Sequence, residues 1–397
     1  MISLPLSEPE AALGDLPSAA FAALYVHVPF CAHKCHYCDF YSITRQSGDR
    51  MSRFVDLTLG EAERWADREN RFTTVFFGGG TPSLLPPSEM ARLIGGLRER
   101  LDLSGVNEWT IETNPGSATA AYFDALAAGG VDRVSFGAQS FDAAELDALE
   151  RDHAGHDVPA SIELARAAGI PRQSVDLIYA IPGQTLASLD RTLDAAIGLG
   201  VEHVSCYGLT YEPNTPLAVR RRLGRVTATP EDDEVAMFRH IRERLSAVGL
   251  PPYEISNFAR PGRECRHNLA YWHGENYLAL GPSGASHLDG VRWRNAPHLG
   301  KWERSLEQGA LPAIDVERLA PAERAAELAW LNLRTTAGID IVDFEQRTGR
   351  TPAAWFGGQL SDLVAAGVVE MTPTHVRLTE AGLIVADAVA SELMVAS

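Results

Sequence analysis

The stretch LYVHVPFCAHKCHYCDFYS, residues 24–42, decides how the rest of the chain is read. Its first seven residues, LYVHVPF, are rich in β-branched and aromatic side chains, the pattern of a buried strand. The strand runs straight into Cys31, Cys35 and Cys38, spaced C-x3-C-x2-C. The chain has five cysteines, the others being Cys206 and Cys265. So few, and an odd number, do not make a disulfide framework in 397 residues. Clustered thiols point instead to metal or redox chemistry. A structural zinc site takes four ligands, and His33 and His36 are at hand. A loop this short rarely folds four of its own side chains into one tetrahedron. A cubane iron–sulfur cluster asks for less, because each iron takes one outside thiolate. Three cysteines then leave one iron open to a small molecule that binds through two atoms, such as the amino and carboxylate groups of an amino acid.

Outward from this loop the pattern repeats. TTVFFGGG (73–80), EWTIETNP (108–115), DRVSFGAQ (132–139), SVDLIYAIPG (174–183) and HVSCYGLTY (203–211) read as further strands. Helical stretches at about 50–68, 88–101, 119–128, 142–150, 156–168 and 186–198 separate them. Strand–helix alternation predicts parallel strands joined by right-handed crossovers. Polar residues collect at the strand exits: the cysteine loop, Gly78–Thr81, Glu112, Gln139 and Asp176. In parallel α/β barrels that end carries the site. Beyond about 215 the pattern loosens. A charged helix is expected at 230–248, then a Gly-, aromatic- and His-rich segment, 253–287. The tail from 316 reads as helices around a hairpin, VVEMTPTHVRLT (368–379). The expected organisation is an N-terminal extension (1–20), a barrel core (21–215), an extension (216–315) and a small C-terminal domain (316–397).

Composition bounds the partners. A hydrophobic share of 45% with mean hydropathy -0.10 describes a globular chain with a sizeable core. No apolar run is long enough to span a bilayer, and the N-terminus lacks a basic, then apolar, secretory leader. A cytoplasmic protein without an intrinsic membrane anchor is expected. Net charge is -17, and the only basic cluster is Arg220, Arg221, Arg222 and Arg225. That argues against nucleic acid as a partner.

The cysteine motif, followed by GGGTP at 78–82, resembles the signature of radical S-adenosylmethionine (SAM) proteins. More of the chain is similar to one group of these. LYVHVPFCAHKCHYCDFYS, FFGGGTPSLL, IETNPG, RVSFGAQSF, LERDHAGHD, SVDLIYAIPGQT and YGLTYEPNTPL resemble the oxygen-independent coproporphyrinogen III oxidase family, from about residue 22 to the end. That family holds the oxidase HemN and a non-oxidase relative, the haem chaperone HemW. The resemblance implies a partial (β/α)6 TIM-like barrel with a winged-helix-like α+β domain after it. It implies that Cys31, Cys35 and Cys38 ligate a [4Fe-4S] cluster. It implies SAM contacts from Tyr25, Tyr37, Gly79, Gly80, Thr81, Glu112, Gln139, Arg151, Asp176 and Thr210, with the glycines letting backbone approach the methionine amine.

Two features separate the subgroups. The oxidase pattern carries an additional cysteine two positions after the third, where this chain has Phe40. HNLAYW (267–272) resembles the HNxxYW motif of the chaperones, which implies His267 as a haem ligand beside aromatic rings, with Cys265 as an alternative. The expected function is haem binding and transfer to an acceptor protein, a respiratory enzyme among the candidates. SAM cleavage and a homodimer are left open. The alternatives are coproporphyrinogen oxidation, which Phe40 argues against, a radical SAM methylase or cyclopropane-forming enzyme, and a purely structural zinc role.

Overall fold

The computed structural model describes residues 13–394 apart from residue 45. Most of the expected N-terminal extension therefore lies outside the described residues. Six strands, β1 (Phe21–Val28), β2 (Asn70–Gly79), β3 (Glu108–Thr113), β4 (Arg133–Gln139), β5 (Arg172–Tyr179) and β6 (His203–Gly208), lie side by side in chain order, all parallel. This is the arrangement that strand–helix alternation predicts. Strand β6 does not close onto β1, so the barrel is partial.

Alternation sorts the side chains. Leu24, Val26, Val75, Phe77, Trp109, Ile111, Val134, Phe136, Val175 and Leu177 face outward into the main core. Residues of the opposite parity line the concave side: Tyr25, His27, Thr110, Glu112, Ser135, Asp176 and Ser205. A hydrophobic outer face is what the crossover helices need; the polar inner face has no such use and marks the functional side.

The sheet continues past both ends of the barrel. Strand β7 (Asn257–Ala259) adds antiparallel to β6. Strand β8 (Tyr277–Leu280) pairs parallel with β1, and β9 (Ala285–Leu288), β10 (Val291–Asn295) and β11 (Ala313–Arg318) extend that edge antiparallel. The expected extension thus merges with the barrel sheet, and β11 crosses the boundary expected at 315. One buried carboxyl ties this addition down. Glu61 accepts from Gly281 N (2.8 Å), Asn295 Nδ2 (2.6 Å) and Trp302 Nε1 (3.1 Å). Burial pushes its pKa from 4.5 up to about 8.

A second core, built from Ala325, Leu333, Phe344, Phe356, Leu360, Val376 and Leu393 among others, defines the C-terminal domain. Its sheet, β12 (Ile339–Asp340), β14 (His375–Leu378) and β13 (Val369–Met371), is antiparallel and backed by helices, the winged-helix-like pattern. No helix among the described residues is long and apolar enough to cross a membrane.

Candidate functional site

The cysteine loop leaves β1 and is pinned at both ends. Cys31 N donates to Ile43 O (2.9 Å), and Ile43 N to Pro29 O (2.7 Å). The three thiols are half-buried and free. Thr81 Oγ1 lies 3.6 Å from Cys31 Sγ, and Arg151 Nη1 lies 3.7 Å from Cys35 Sγ. Burial raises the pKa values of Cys35 and Cys38. Among the described residues no three His, Cys, Asp or Glu side chains converge on one metal ion. A cubane needs no such convergence, since its irons are separate acceptors. The donor set therefore fits a three-thiolate cluster.

Beside the loop, at the C-terminal ends of the parallel strands, lies a cleft of about 610 Å³. It brings together Tyr37, Gly79, Gly80, Thr81, Glu112, Gln139, Arg151, Asp176 and Thr210, with Cys38 at its edge. Only Tyr25 of the expected SAM contacts is missing from its wall. Tyr25 lies deeper: its hydroxyl is 3.4 Å from His27 Nδ1, and its ring stacks on Phe76.

The glycines have an internal reason to be glycine. Gly79 has φ +107°, and a Cβ there would sit 2.5 Å from the His27 ring. A Cβ on Gly80 would sit 2.6 Å from the Phe30 carbonyl oxygen. Close packing of the β1 and β2 exits forbids a side chain at both. Gln139 on the cleft wall has positive φ (64°), as do Glu150 (52°), just before Arg151, and Ala180 (59°), two residues after Ile178. Such strain gathers where a fold places groups for use.

Electrostatics inside the cleft are unusual. Burial, and next the neighbouring Asp176, push Glu112 up to about 8. Glu112 accepts from Gly79 N at 3.2 Å. Asp176 is also raised by burial, against hydrogen bonds from Ser135 Oγ (2.9 and 3.0 Å) and Ser205. Two carboxyls this close hold a proton readily, and an incoming cation would displace it. Arg151 donates to Gly137 O (2.8 Å) and to Asn114 Oδ1, while its Nε is buried with no partner. Cations, carboxyls and open backbone in one cleft suit a ligand that carries both an ammonium and a carboxylate. The sequence reading missed Asn114, Ile178, Tyr207 and Glu212 as parts of this wall. Their position at strand exits was the available signal. Phe40 stands on the rim, 67% exposed.

His267 is elsewhere. The short helix Arg266–Trp272 packs against the starts of β2 and β3, at the barrel end opposite the cleft. The imidazole is 1% exposed. Its Nδ1 is 2.9 Å from Thr74 Oγ1 and its Nε2 is 3.1 Å from Tyr271 Oη. It stacks on Phe76, 5.0 Å between ring centres, and burial drives its pKa down to about 3. Glu108 Oε1 accepts from His267 N at 3.0 Å and fixes the helix start. In this conformation both ring nitrogens of His267 are hydrogen-bonded. Cys265 is buried as well: its thiol lies 3.5 Å from Glu108 Oε1, and burial pushes its pKa up to about 12.

The comparisons with known proteins agree with this geometry. The radical SAM superfamily model matches residues 25–196, and the HemN C-terminal domain model matches 319–385. The fold is similar to that of coproporphyrinogen III oxidase HemN from Escherichia coli, with TM-score 0.82 over 94% of this chain and 90% of that one, at 21% identity. A cleft at the strand exits, a three-cysteine loop and this fold define a radical SAM protein. The chain is 33% identical to the heme chaperone HemW of Bacillus subtilis, covering 90% of this chain and 95% of the relative. It is 35% identical to the heme chaperone HemW of Mycobacterium tuberculosis, covering 96% and 97%. This chain belongs to the HemW family of radical SAM proteins.

Proposed function

We propose that this protein is a haem chaperone that holds a [4Fe-4S] cluster and SAM at the cleft, binds haem as cargo and passes it to an acceptor protein. The observation that carries the reading is the near full-length identity to heme chaperones from several organisms. The rim residue Phe40, in the position where the oxidase pattern has a cysteine, supports it.

Cys31, Cys35 and Cys38 would hold the cluster, and Thr81 and Arg151 stand against two of the sulfurs. When bound, the cluster supplies an electron for SAM and an open iron for its amino and carboxylate groups. The protein's own part is placement. Arg151 presents a guanidinium for the ligand carboxylate, and Glu112 and Asp176 accept from its amine or hydroxyls. Gly79 and Gly80 leave the backbone open. The free thiols fit a reducing compartment such as the cytoplasm. The acceptor would be a haem-requiring protein, for example a respiratory enzyme, and a homodimer is compatible with this role.

Anaerobic protein with its cluster intact should bind ferric haem and transfer it to a haem-free b-type cytochrome. The likeness of fold to HemN favours the oxidase as the second reading. Coproporphyrinogen III consumed with SAM and a reductant, without stable haem binding, would establish that reading and remove the first.

A further inference from the structure

The one basic cluster of the sequence, Arg220, Arg221, Arg222 and Arg225, has no part in the cleft. The structure puts it beside the cysteine loop. It sits on the short helix Pro216–Arg222 and the turn that follows. Backbone and apolar contacts fasten that helix to the loop. Leu217 N donates at 2.9 Å to the carbonyl of His36, which stands between Cys35 and Cys38 in the chain. The Leu217 side chain is buried with Leu149, Ile178 and Leu209, and Tyr37 of the loop packs on the same cluster. Glu150 adds a polar tie: it accepts from Arg220 Nη2 at 2.7 Å and lies 3.4 Å from His36 Nδ1. At a rise of ~1.5 Å per residue, Arg221 and Arg222 stand only ~6–8 Å along the helix axis from the loop contact at Leu217.

Arg220 is paired and holds the helix in place. The other three arginines are exposed, and none makes an ion pair among the described residues. Arg221 lies over the Tyr211 ring, 4.5 Å from its centre. The acidic run Glu231–Glu234 opens the next helix and neutralises none of them by an ion pair. On the loop itself, Lys34 is exposed and has no ion-pair partner among the described residues either. Apolar side chains are exposed in the same two segments: Leu223, between Arg222 and Arg225, at 57%, and Phe40, two residues after Cys38. With a net charge of -17, the chain as a whole repels acidic proteins. Its unpaired cations gather where the cysteine loop meets solvent.

We propose that the helix Pro216–Arg222, its following turn and the outer face of the cysteine loop form the docking surface of an acidic one-electron carrier, a small flavin or iron–sulfur protein. The inference rests on the cluster reading above and adds the face at which the cluster receives its electron. One electron leaves the carrier, which is oxidised, and enters the cluster held by Cys31, Cys35 and Cys38, which is reduced; no bond forms or breaks. Electron-transfer partners meet through small, short-lived contacts, and complementary charge steers them together. A compact basic helix with a few exposed apolar side chains meets both needs. Its rigid fastening to the loop, through Leu217 and Glu150, fixes the distance between a docked carrier and the thiols. An anionic membrane would also attract these arginines, but it makes no use of the cysteine loop lying within the patch.

The test uses full-length protein prepared anaerobically with its cluster loaded. The probes are an acidic flavodoxin and an acidic [2Fe–2S] ferredoxin, with dithionite as a reductant that needs no docking surface. Wild type is compared with the triple variant Arg221→Ser, Arg222→Ser, Arg225→Ser and with the triple lysine variant at the same positions. Calorimetry gives the affinity for each oxidised carrier at low and physiological ionic strength. Bleaching of the visible absorption after mixing with reduced carrier gives the rate of reduction. The serine variant should bind at least one carrier tenfold more weakly than wild type and be reduced by it at least tenfold more slowly. Rising salt should weaken wild-type binding far more than that of the serine variant. The lysine variant should behave as wild type, and dithionite should reduce all three alike. Binding and reduction of the serine variant at wild-type rates, or wild type reduced by neither carrier, overturns the proposal. Arginine-dependent sedimentation with phosphatidylglycerol vesicles, with carrier-driven reduction unchanged in the serine variant, overturns it in favour of a membrane. Iron content and SAM binding are measured on the same wild-type preparation, so failure of the cluster reading itself shows separately, as protein that holds neither.

Discussion

Replacing Gly79 by alanine should cost far more than replacing Gly169. Both have positive φ, 107° and 87°, where an L side chain is strained by about 1–3 kcal/mol. They differ in what a Cβ would meet. Nothing lies within 4 Å at Gly169, whereas at Gly79 the His27 ring is 2.5 Å away. That ring has no room to swing. It is buried, and its Nε2 is held 2.9 Å from Tyr41 O. Overpacking of this kind adds about 1–3 kcal/mol. The expected totals are about 2–6 kcal/mol at position 79 and about 1–3 kcal/mol at 169. Urea unfolding of each variant measures the difference. Adding His27→Ala should remove the excess at position 79, giving a coupling of about 1 kcal/mol or more in the double-mutant cycle. The reasoning is refuted if Gly79→Ala costs no more than Gly169→Ala, or if the coupling is zero. Because Gly79 N also donates to Glu112, SAM affinity should fall in Gly79→Ala and not in Gly169→Ala.

Alanine at Cys31, Cys35 or Cys38 should abolish the iron content and visible absorption of the purified protein while leaving far-ultraviolet circular dichroism unchanged, since these thiols are free and only half-buried. Glu112 is largely protonated below about 8, so a ligand cation must displace its proton; SAM affinity should rise with pH toward 8 and level off above it, and Glu112→Gln should flatten that slope in calorimetry. Glu61 binds a proton more tightly folded than unfolded, so its contribution is present below 4.5 and lost as pH rises to about 8. Glu61→Gln should flatten that loss in pH-dependent thermal melts, and Glu61→Ala should cost several kcal/mol by leaving three buried donors unpaired, at about 1–3 kcal/mol each.

The barrel was legible because its elements are local. A strand such as TTVFFGGG shows its β-branched and aromatic content in eight residues, and the glycines that end it sit where the cleft begins. Nine of the ten expected SAM contacts line that cleft because strand exits are set by where apolar runs stop. Tyr25 illustrates the limit. Its parity points it to the concave side, but its depth depends on the stagger of β1 against β2, which no single segment encodes. The sheet extension was less visible. Strand β8 follows β1 by about 250 positions, and only their pairing makes them neighbours.

The sequence by itself determined the chemistry: three thiols on one loop, a glycine-rich strand exit, carboxyls and an arginine at successive strand ends, and Phe40 in place of a cysteine. These are properties of residue type and spacing, and folding cannot add or remove them. Only the tertiary structure decided availability. His267 looked like a ligand because an imidazole beside aromatic rings can be one. Whether it is free depends on Thr74 and Tyr271 meeting its two nitrogens, and Thr74 lies 193 positions away in the chain. Hydrogen-bond saturation is a property of the packed neighbourhood. That is why the motif was readable from the sequence and the hydrogen-bonded setting of its histidine was not.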